Sequence, residues 1–346
     1  MVKGFWKKLL STSNVDSRPI LALAPMADVT DAAFRRIIAK YGKFTRPDGS
    51  IDGGPNVMFT EFVSCDGLCS KGKKNLLPIL KYTEKERPIV AQVFGAKPEN
   101  FYESAKLIKK LGFDGIDINM GCPDKKVLKQ GAGAALINNP QLAREIIRQT
   151  KKGSRLFGGQ AGEMPISVKT RIGYDKYDKK EFKKWLTALL EEKPAAITIH
   201  ARTKKEMSLV PAHWDIITEA VKIRNEFDPS PNHTLILGNG DIRNIADAEE
   251  KAKTFGADGV MIGRAVFGNP WLFANVKKII STKEKLSILL EHTKLFEKIN
   301  KGQNFDVMKK HFKSYVSGFP GAKELRIKLM TSKNAKEAEK IILVFL

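Results

Sequence analysis

Eight short apolar runs alternate with longer amphipathic stretches along this chain, and that alternation limits its fold more than any other feature. The runs at 20–24, 57–62, 89–94, 115–119, 166–169, 196–200, 235–237 and 259–262 have the length of buried strands. Between them, residues 31–41, 98–111, 140–150, 179–191, 214–227 and 245–255 repeat apolar residues at helical spacing. Strands alternating with helices form parallel βα units joined by right-handed crossovers. Eight such units close an α/β fold of the (β/α)8 TIM-barrel type, with a doubly wound open sheet as the alternative. Residues 65–82 hold no single clean helix, and the Gly/Pro-rich stretches 46–55 and 156–164 read as insertions before strands two and five.

The alternation stops near residue 275. Residues 281–346 show helical periodicity alone, as in Leu286-Leu289-Leu290 and Leu325-Leu329. The division expected is a catalytic TIM barrel over 1–274 and a small all-helical C-terminal domain over 275–346. Sixty Lys and Arg against 38 Asp and Glu leave a net charge of +22. Residues 277–346 carry 16 of those cations against 7 acids, a disproportionate share. Such an excess suits a polyanion, because each neutralised phosphate releases counterions. A solvated lysine surface is the blander alternative, and an anionic membrane a weaker third.

Three cysteines, Cys65, Cys69 and Cys122, make no disulfide framework in a chain of 346 residues and suit a reducing compartment. Cys65 and Cys69 have no second Cys/His pair, so no metal is expected. Residues 1–10 lack the apolar core of a signal peptide, and no apolar run reaches the ~18 residues of a membrane span. The expectation is a cytoplasmic protein that works as a monomer, away from membranes.

The strand ends carry the chemistry. In a TIM barrel the C-terminal edge of the strands holds the active site. There the sequence puts Ala24-Pro25-Met26, Gln92, Asn119, Cys122, Lys169, His200, Arg202, Asn239-Gly240-Asp241 and Gly263-Arg264. Asn239-Gly240 and Gly263-Arg264 follow strands seven and eight, the usual phosphate grip, where glycines let backbone N–H groups approach an anion and a helix N-terminus after strand eight is expected to add its dipole. Ordinary tight βα turns would use the same glycines. Lys169 is expensive to bury without an anion or carbonyl, although a snorkelling lysine would avoid that cost. Gln92 offers a donor and an acceptor to an amide-edged heterocycle. His200 is a structural residue or a ligand contact. Cys122 sits in a Gly-Cys-Pro turn beyond a strand end rather than in an apolar run, which favours catalytic use over an inert buried thiol.

With Thr60-Glu61-Phe62, Lys169-Thr170-Arg171, His200-Ala201-Arg202-Thr203 and Gly263-Arg264-Ala265, these motifs stand in the order and spacing of a known family. The chain resembles the tRNA-dihydrouridine synthases. Lys310-His311 through Tyr315, Pro320-Gly321-Ala322 and Leu325-Arg326 are similar to the helical domain of the DusB-like bacterial branch. The resemblance implies an FMN-containing barrel that reduces the C5–C6 bond of uridines in tRNA with NADPH or NADH. It implies Cys122 as the acid that protonates C5. Gln92 and Lys169 would contact the flavin ring, with Ala24, Pro25 and Met26 beneath it. Asn239, Gly240, Asp241, Gly263 and Arg264 would hold the phosphate end, and His200 would sit near the phosphate or the substrate. Asn119 and Arg202 would face the substrate, and Lys309, Lys313 and Arg326 would grip the tRNA. The chain departs from the family pattern after Thr203: the run from Lys204 to the Ala212-His213-Trp214 that ends it lacks the usual Gln and Tyr-x-Gly before Ala-x-Trp. Another FMN barrel, such as a dihydroorotate dehydrogenase, would need a base and has no use for a basic helical tail. An RNA-binding protein without chemistry would not keep Cys122, Lys169, Gln92 and Arg264 together.

Overall fold

A computed structural model describes residues 4–16, 18–45, 51–155, 163–274, 280–300 and 302–346. Helix α1 (Phe5–Asp16) precedes a parallel barrel of β1 (Ile20–Leu23), β2 (Met58–Phe59), β3 (Ile89–Phe94), β4 (Gly115–Met120), β5 (Ile166–Arg171), β6 (Ala196–His200), β7 (Leu235–Asn239) and β8 (Gly259–Ile262). The strands run β1-β8-β7-β6-β5-β4-β3-β2 around the ring. The seam between β1 and β2 is a single parallel bridge, Ala22 to Val57, with the Leu23 N–H donating to the Val57 carbonyl at 3.0 Å. The ring is the barrel that the alternation predicts, not an open sheet.

Outside it lie α2 (Ala32–Tyr41), α3 (Pro98–Lys110), α4 (Pro140–Ser154), α5 (Lys179–Glu191), α6 (Asp215–Phe227) and α7 (Ile245–Phe255). Local chemistry sets their starts: Asp31, Asn139, Asp178 and Asn244 cap with their side-chain oxygens, and Pro98 and Pro140 occupy first-turn positions. The expected strand at 57–62 is cut short. The Thr60 hydroxyl takes the Gln92 N–H at 3.1 Å where a ladder carbonyl would, and the chain rejoins β3 only at Val63–Ser64. Residues 65–82 are short helical turns, as expected. The insertion at 46–55 returns through a small antiparallel ribbon, Lys43–Thr45 with Ile51–Gly53. Its residues 46–50, and residues 156–162 of the second insertion, lie outside the described residues.

Helix α1 has no counterpart in the predicted pattern, and it plugs the barrel from below. Trp6 is buried with Ile20, Val57, Val90, Ala196, Leu235 and Met261 in the barrel interior. The opposite end of the barrel is therefore the one left open for a ligand.

After β8 come α8 (Thr282–Ile299), α9 (Met308–Tyr315), α10 (Ala322–Leu329) and α11 (Ala335–Phe345). They pack on α2, whose two faces divide the work. Phe34 and Ile38 join the barrel core, while Ala33 and Ile37 join Leu286, Leu289, Phe312 and Tyr315. Lys40 and Tyr41 both reach Glu291 on α8, at 2.7 and 2.5 Å. The proposed boundary at 274/275 borders residues 275–279, which are outside the described residues. No described helix is long and apolar enough to cross a membrane.

Candidate active site

The C-terminal ends of the barrel strands open into a cavity of about 900 Å³. It is lined by Cys122, Ala24, Pro25, Met26, Gln92, Asn119, Lys169, His200, Arg202, Asn239, Gly240, Asp241, Gly263 and Arg264, so the mouth brings together every barrel residue singled out from the sequence. Strand register does this. Asp117 pairs with Ser167, Asn119 with Lys169, and His200 with both Arg171 and Asn239, so the functional side chains fall into layers. Phe62, Arg171, Met207 and Ser208 also line the cavity and were not among the candidates.

At its floor lies a buried polar network. Asp117 is fully buried and accepts from Ser167 Oγ at 2.6 Å and from Gln92 Nε2 at 2.7 Å. Burial pushes the Asp117 carboxyl up to about 6 against those two bonds and the nearby Lys169 charge. Gln92 Oε1 accepts from Asn119 Nδ2 at 3.0 Å. Gln92 is thus fixed from both sides, which leaves one amide N–H for a ligand. Asn119 Oδ1 in turn accepts from the N–H groups of Gly121 and Cys122, at 3.1 and 2.9 Å. The Asn119 side chain positions the thiol loop.

Cys122 is half-buried. Burial is the largest influence and raises its thiol above the ordinary 9.0, so it carries its proton at neutral pH. The loop beyond it folds back, with Ala134 N–H donating to the Cys122 carbonyl at 3.0 Å. Gly133 permits this. It has φ +62, and a Cβ there would stand 2.8 Å from the Cys122 carbonyl oxygen.

Lys169 donates to Asn239 Oδ1 at 3.0 Å. Its residual exposure faces the cavity rather than open solvent. Burial, then repulsion from Arg171, lowers its ammonium to about 8. A cation with one hydrogen bond at the wall of a cavity is a receptor for an anionic or carbonyl acceptor. Arg171 donates to the Gly121 carbonyl at 2.7 Å and the Thr203 carbonyl at 2.9 Å, tying the thiol loop to the loop after β6.

The loops after β7 and β8 converge on Asp241. Its carboxylate is held by Arg202, by Arg264 Nη2 at 2.8 Å and by the Ala212 N–H at 2.9 Å. The Arg202 bond is the main reason its pKa is lowered. A carboxylate so engaged orients Arg264. Arg202 is buried, bonded also to the Val210 carbonyl at 2.6 Å and facing His200 Nε2 at 3.3 Å. Burial and the charges of Lys169, Arg171, Arg202 and Arg264 hold His200 far below its ordinary 6.5, so it is neutral. Gly240, at φ +132, would bring a Cβ to 2.8 Å from Ala212 Cβ and so admits no side chain. One expectation is corrected: β8 leads into a three-residue 3-10 turn, Arg264–Val266, not a helix, so no helix dipole points at the mouth. Any anion there relies on backbone N–H groups and Arg264.

The candidates on the helices after β8 lie away from this cavity. Lys309 pairs with Asp306 at 2.6 Å, Arg326 donates to the Val316 carbonyl at 3.3 Å, and Lys313 is exposed. Lys310 reaches back to Asp28 on the loop after β1, at 3.8 Å.

A parallel βα barrel whose strand ends open into a cavity edged by glycines and lined by cations and a thiol is the architecture of a TIM-barrel enzyme. A model of the family described as Dihydrouridine synthase (Dus) matches residues 22–345. A probable tRNA-dihydrouridine synthase from Staphylococcus aureus (strain COL) is 40% identical over 345 residues, covering 99% of this chain and 95% of that one. Probable tRNA-dihydrouridine synthase 2 of Bacillus subtilis (strain 168) is 39% identical over 345 residues, with coverages of 99% and 96%. Among solved structures, the old yellow enzyme from Trypanosoma cruzi matches with a TM-score of 0.50 at 10% identity, over 77% of this chain and 91% of that one. An amine oxidase acting on 6-hydroxypseudooxynicotine, from Pseudomonas geniculata N1, matches with 0.51 at 12% identity, over 85% and 52%. At such identities the solved structures share the fold alone. The chain belongs to the dihydrouridine synthase family.

Proposed function

We propose that this chain is a cytoplasmic, monomeric, FMN-dependent tRNA-dihydrouridine synthase that reduces the C5–C6 bond of particular tRNA uridines with NADPH or NADH. The observation that carries the reading is the Cys122 thiol, kept protonated by burial, lining the same cavity as the half-buried Lys169 ammonium, which donates to Asn239. The residues present fit FMN: a cation and a fixed amide for the ring, and glycines with Arg264 for the phosphate. When bound, FMN supplies a hydride to uracil C6, with NADPH or NADH as the source of electrons.

The chain's own groups do the rest. Lys169 would place positive charge beside the polar edge of the ring, and Gln92 would offer its remaining N–H. Ala24, Pro25 and Met26 would form the surface beneath it. Asn239, Gly240, Asp241, Gly263 and Arg264 would hold the phosphate, with the Asp241 carboxylate orienting Arg264, and neutral His200 would face the phosphate or the substrate. Cys122 gives its proton to C5, forming the second new C–H bond, and the thiolate left behind is reprotonated from solvent. Asn119 holds the thiol loop at the substrate, and Arg202 steadies the substrate-side loop through Val210. The uridine must leave its stack, at a cost of a few kcal/mol, and phosphate contacts from Lys309, Lys313 and Arg326 offset it. Catalysis thus falls to 1–274 and the RNA grip to 275–346.

The test is to purify the protein, identify its released cofactor by mass, and incubate it with NADPH and tRNA lacking dihydrouridine. The reading expects FMN and new dihydrouridine at defined positions. A colourless protein that leaves the tRNA unreduced would refute it.

A further inference from the structure

Where the chain departs from its family's pattern, it presents bare apolar side chains at the rim of the cavity. Leu209 is 85% exposed and Met207 46% exposed. Met207 is held at φ +54, a left-handed conformation that disfavours a branched or bulky side chain. The loop carrying them is anchored on both flanks. Lys204 N–H and Lys205 N–H donate to the Gly173 and Tyr174 carbonyls at 2.9 and 3.0 Å. Arg202 Nε holds the Val210 carbonyl at 2.6 Å, and Glu206 accepts from the Thr203 N–H at 2.7 Å. Met207 and Ser208 line the same cavity as Cys122, so the tip is continuous with the reacting site. Exposed Lys205 on the same loop, and Arg243, which lines the same cavity while pairing with Asp247 at 3.2 Å, bring positive charge to this rim.

We propose that Leu209, supported by Met207, is a wedge that enters the RNA stack at the place vacated by the extruded uridine. This rests on the functional reading above. Apolar side chains inserted between base steps are a general means of holding unstacked nucleic acid. An anchored loop holds the wedge ready, and the flanking lysine and arginine suit the phosphates on either side of it. A tip made for a protein partner would have no reason to share a wall with the thiol.

The wedge matters only where there is a stack to open. The experiment compares Leu209→Ala, Leu209→Met and wild type on folded tRNA and on a short unstructured uridine-containing oligonucleotide. Flavin content and NADPH oxidation without RNA serve as integrity checks, and a side chain this exposed leaves the fold undisturbed when truncated. Leu209→Ala is expected to lower kcat/KM on tRNA by about tenfold or more, since extrusion costs a few kcal/mol, and to leave the oligonucleotide rate unchanged. Leu209→Met should restore most of the tRNA rate. Equal rates for Leu209→Ala and wild type on tRNA would overturn the wedge, as would an equal loss on both substrates, which would mean that Leu209 touches the reacting base. A wild-type protein inactive on both would overturn the functional reading itself, and the wedge with it.

Discussion

Replacing Lys169 by methionine should stabilise the flavin-free protein while weakening its hold on flavin. In the folded protein the Lys169 ammonium falls from its ordinary 10.5 to about 8, through burial and the Arg171 charge. The unfolded chain therefore binds this proton more tightly. The folded state is penalised by about 3 kcal/mol below pH 8, and the penalty fades as pH rises from 8 toward 10.5. Methionine removes the penalty but gives up the bond to Asn239, worth about 1 kcal/mol. Water in the cavity softens the first figure, so the net gain at pH 7 is about 1–2 kcal/mol. At about 2 °C per kcal/mol for a large domain, melting should rise by about 2–4 °C at pH 7 and fall by about 1 °C at pH 10.5, where the penalty has faded and the lost bond to Asn239 remains. Flavin affinity should fall about tenfold to a hundredfold, the loss of one charge-assisted contact. Differential scanning fluorimetry across pH, with and without added FMN, reads both effects. A Lys169→Met protein that melts lower at pH 7, or keeps its wild-type flavin affinity, would refute the account of this lysine.

Arg264→Ala should release flavin more readily, by about tenfold, the low end for a charge-assisted bond because the side chain is largely exposed; full flavin occupancy after dialysis would remove it from the phosphate grip. Lys309→Ala/Lys313→Ala/Arg326→Ala should raise the Michaelis constant for tRNA and lower the magnitude of the salt slope by about 0.7–0.9 per lost phosphate contact, with flavin content unchanged. Salt titration of tRNA binding decides it, and an unaltered slope would mean the RNA is held elsewhere. Buried His292 and His311 pack edge to face at 4.6 Å, and burial lowers the first to about 3 and the second well below 6.5. The unfolded chain takes up these protons first, so stability is full above pH 6.5 and falls below it, by up to about 1.4 kcal/mol per pH unit for each histidine. Chemical denaturation at pH 7, 6 and 5 tests this, with His292→Phe expected to flatten the decline.

The barrel was legible because period and strand length carry it: apolar runs bounded by glycine or polar residues cannot hide. The mouth was legible for the same reason, since strand ends fix which residues share an edge. What the pattern concealed depends on contacts distant in sequence. Asp117 reads as part of an apolar run, and only its pairing with Ser167 and Gln92 makes it a floor for the cavity. Helix α1 carries lysines at 7 and 8 beside its apolar residues, so nothing local says that Trp6 fills the barrel bottom. Asp241 reads as a phosphate-loop residue, yet Arg202, a residue on the preceding strand's loop, turns it into an anchor for arginines. The helix expected after β8 failed because glycine followed by arginine suits a 3-10 turn as well as a helix start. Gly133 could have been found from Gly131-Ala132-Gly133 just beyond the thiol, a spacing that allows the chain to fold back on Cys122.

The central claim is that reduced flavin and the Cys122 proton act together on a tRNA uridine. It is tested most directly by single-turnover mixing of the pre-reduced Cys122→Ala protein with tRNA lacking dihydrouridine, followed by flavin absorbance and by mass analysis of the RNA. Cys122 enters only at C5, so the variant should keep its flavin and accept electrons from NADPH at the wild-type rate. Its reoxidation by tRNA should be slower by about a hundredfold or more, the usual worth of a positioned acid, with scarcely any dihydrouridine formed. Wild-type reoxidation and wild-type dihydrouridine from Cys122→Ala would contradict the claim and take the thiol out of the reaction.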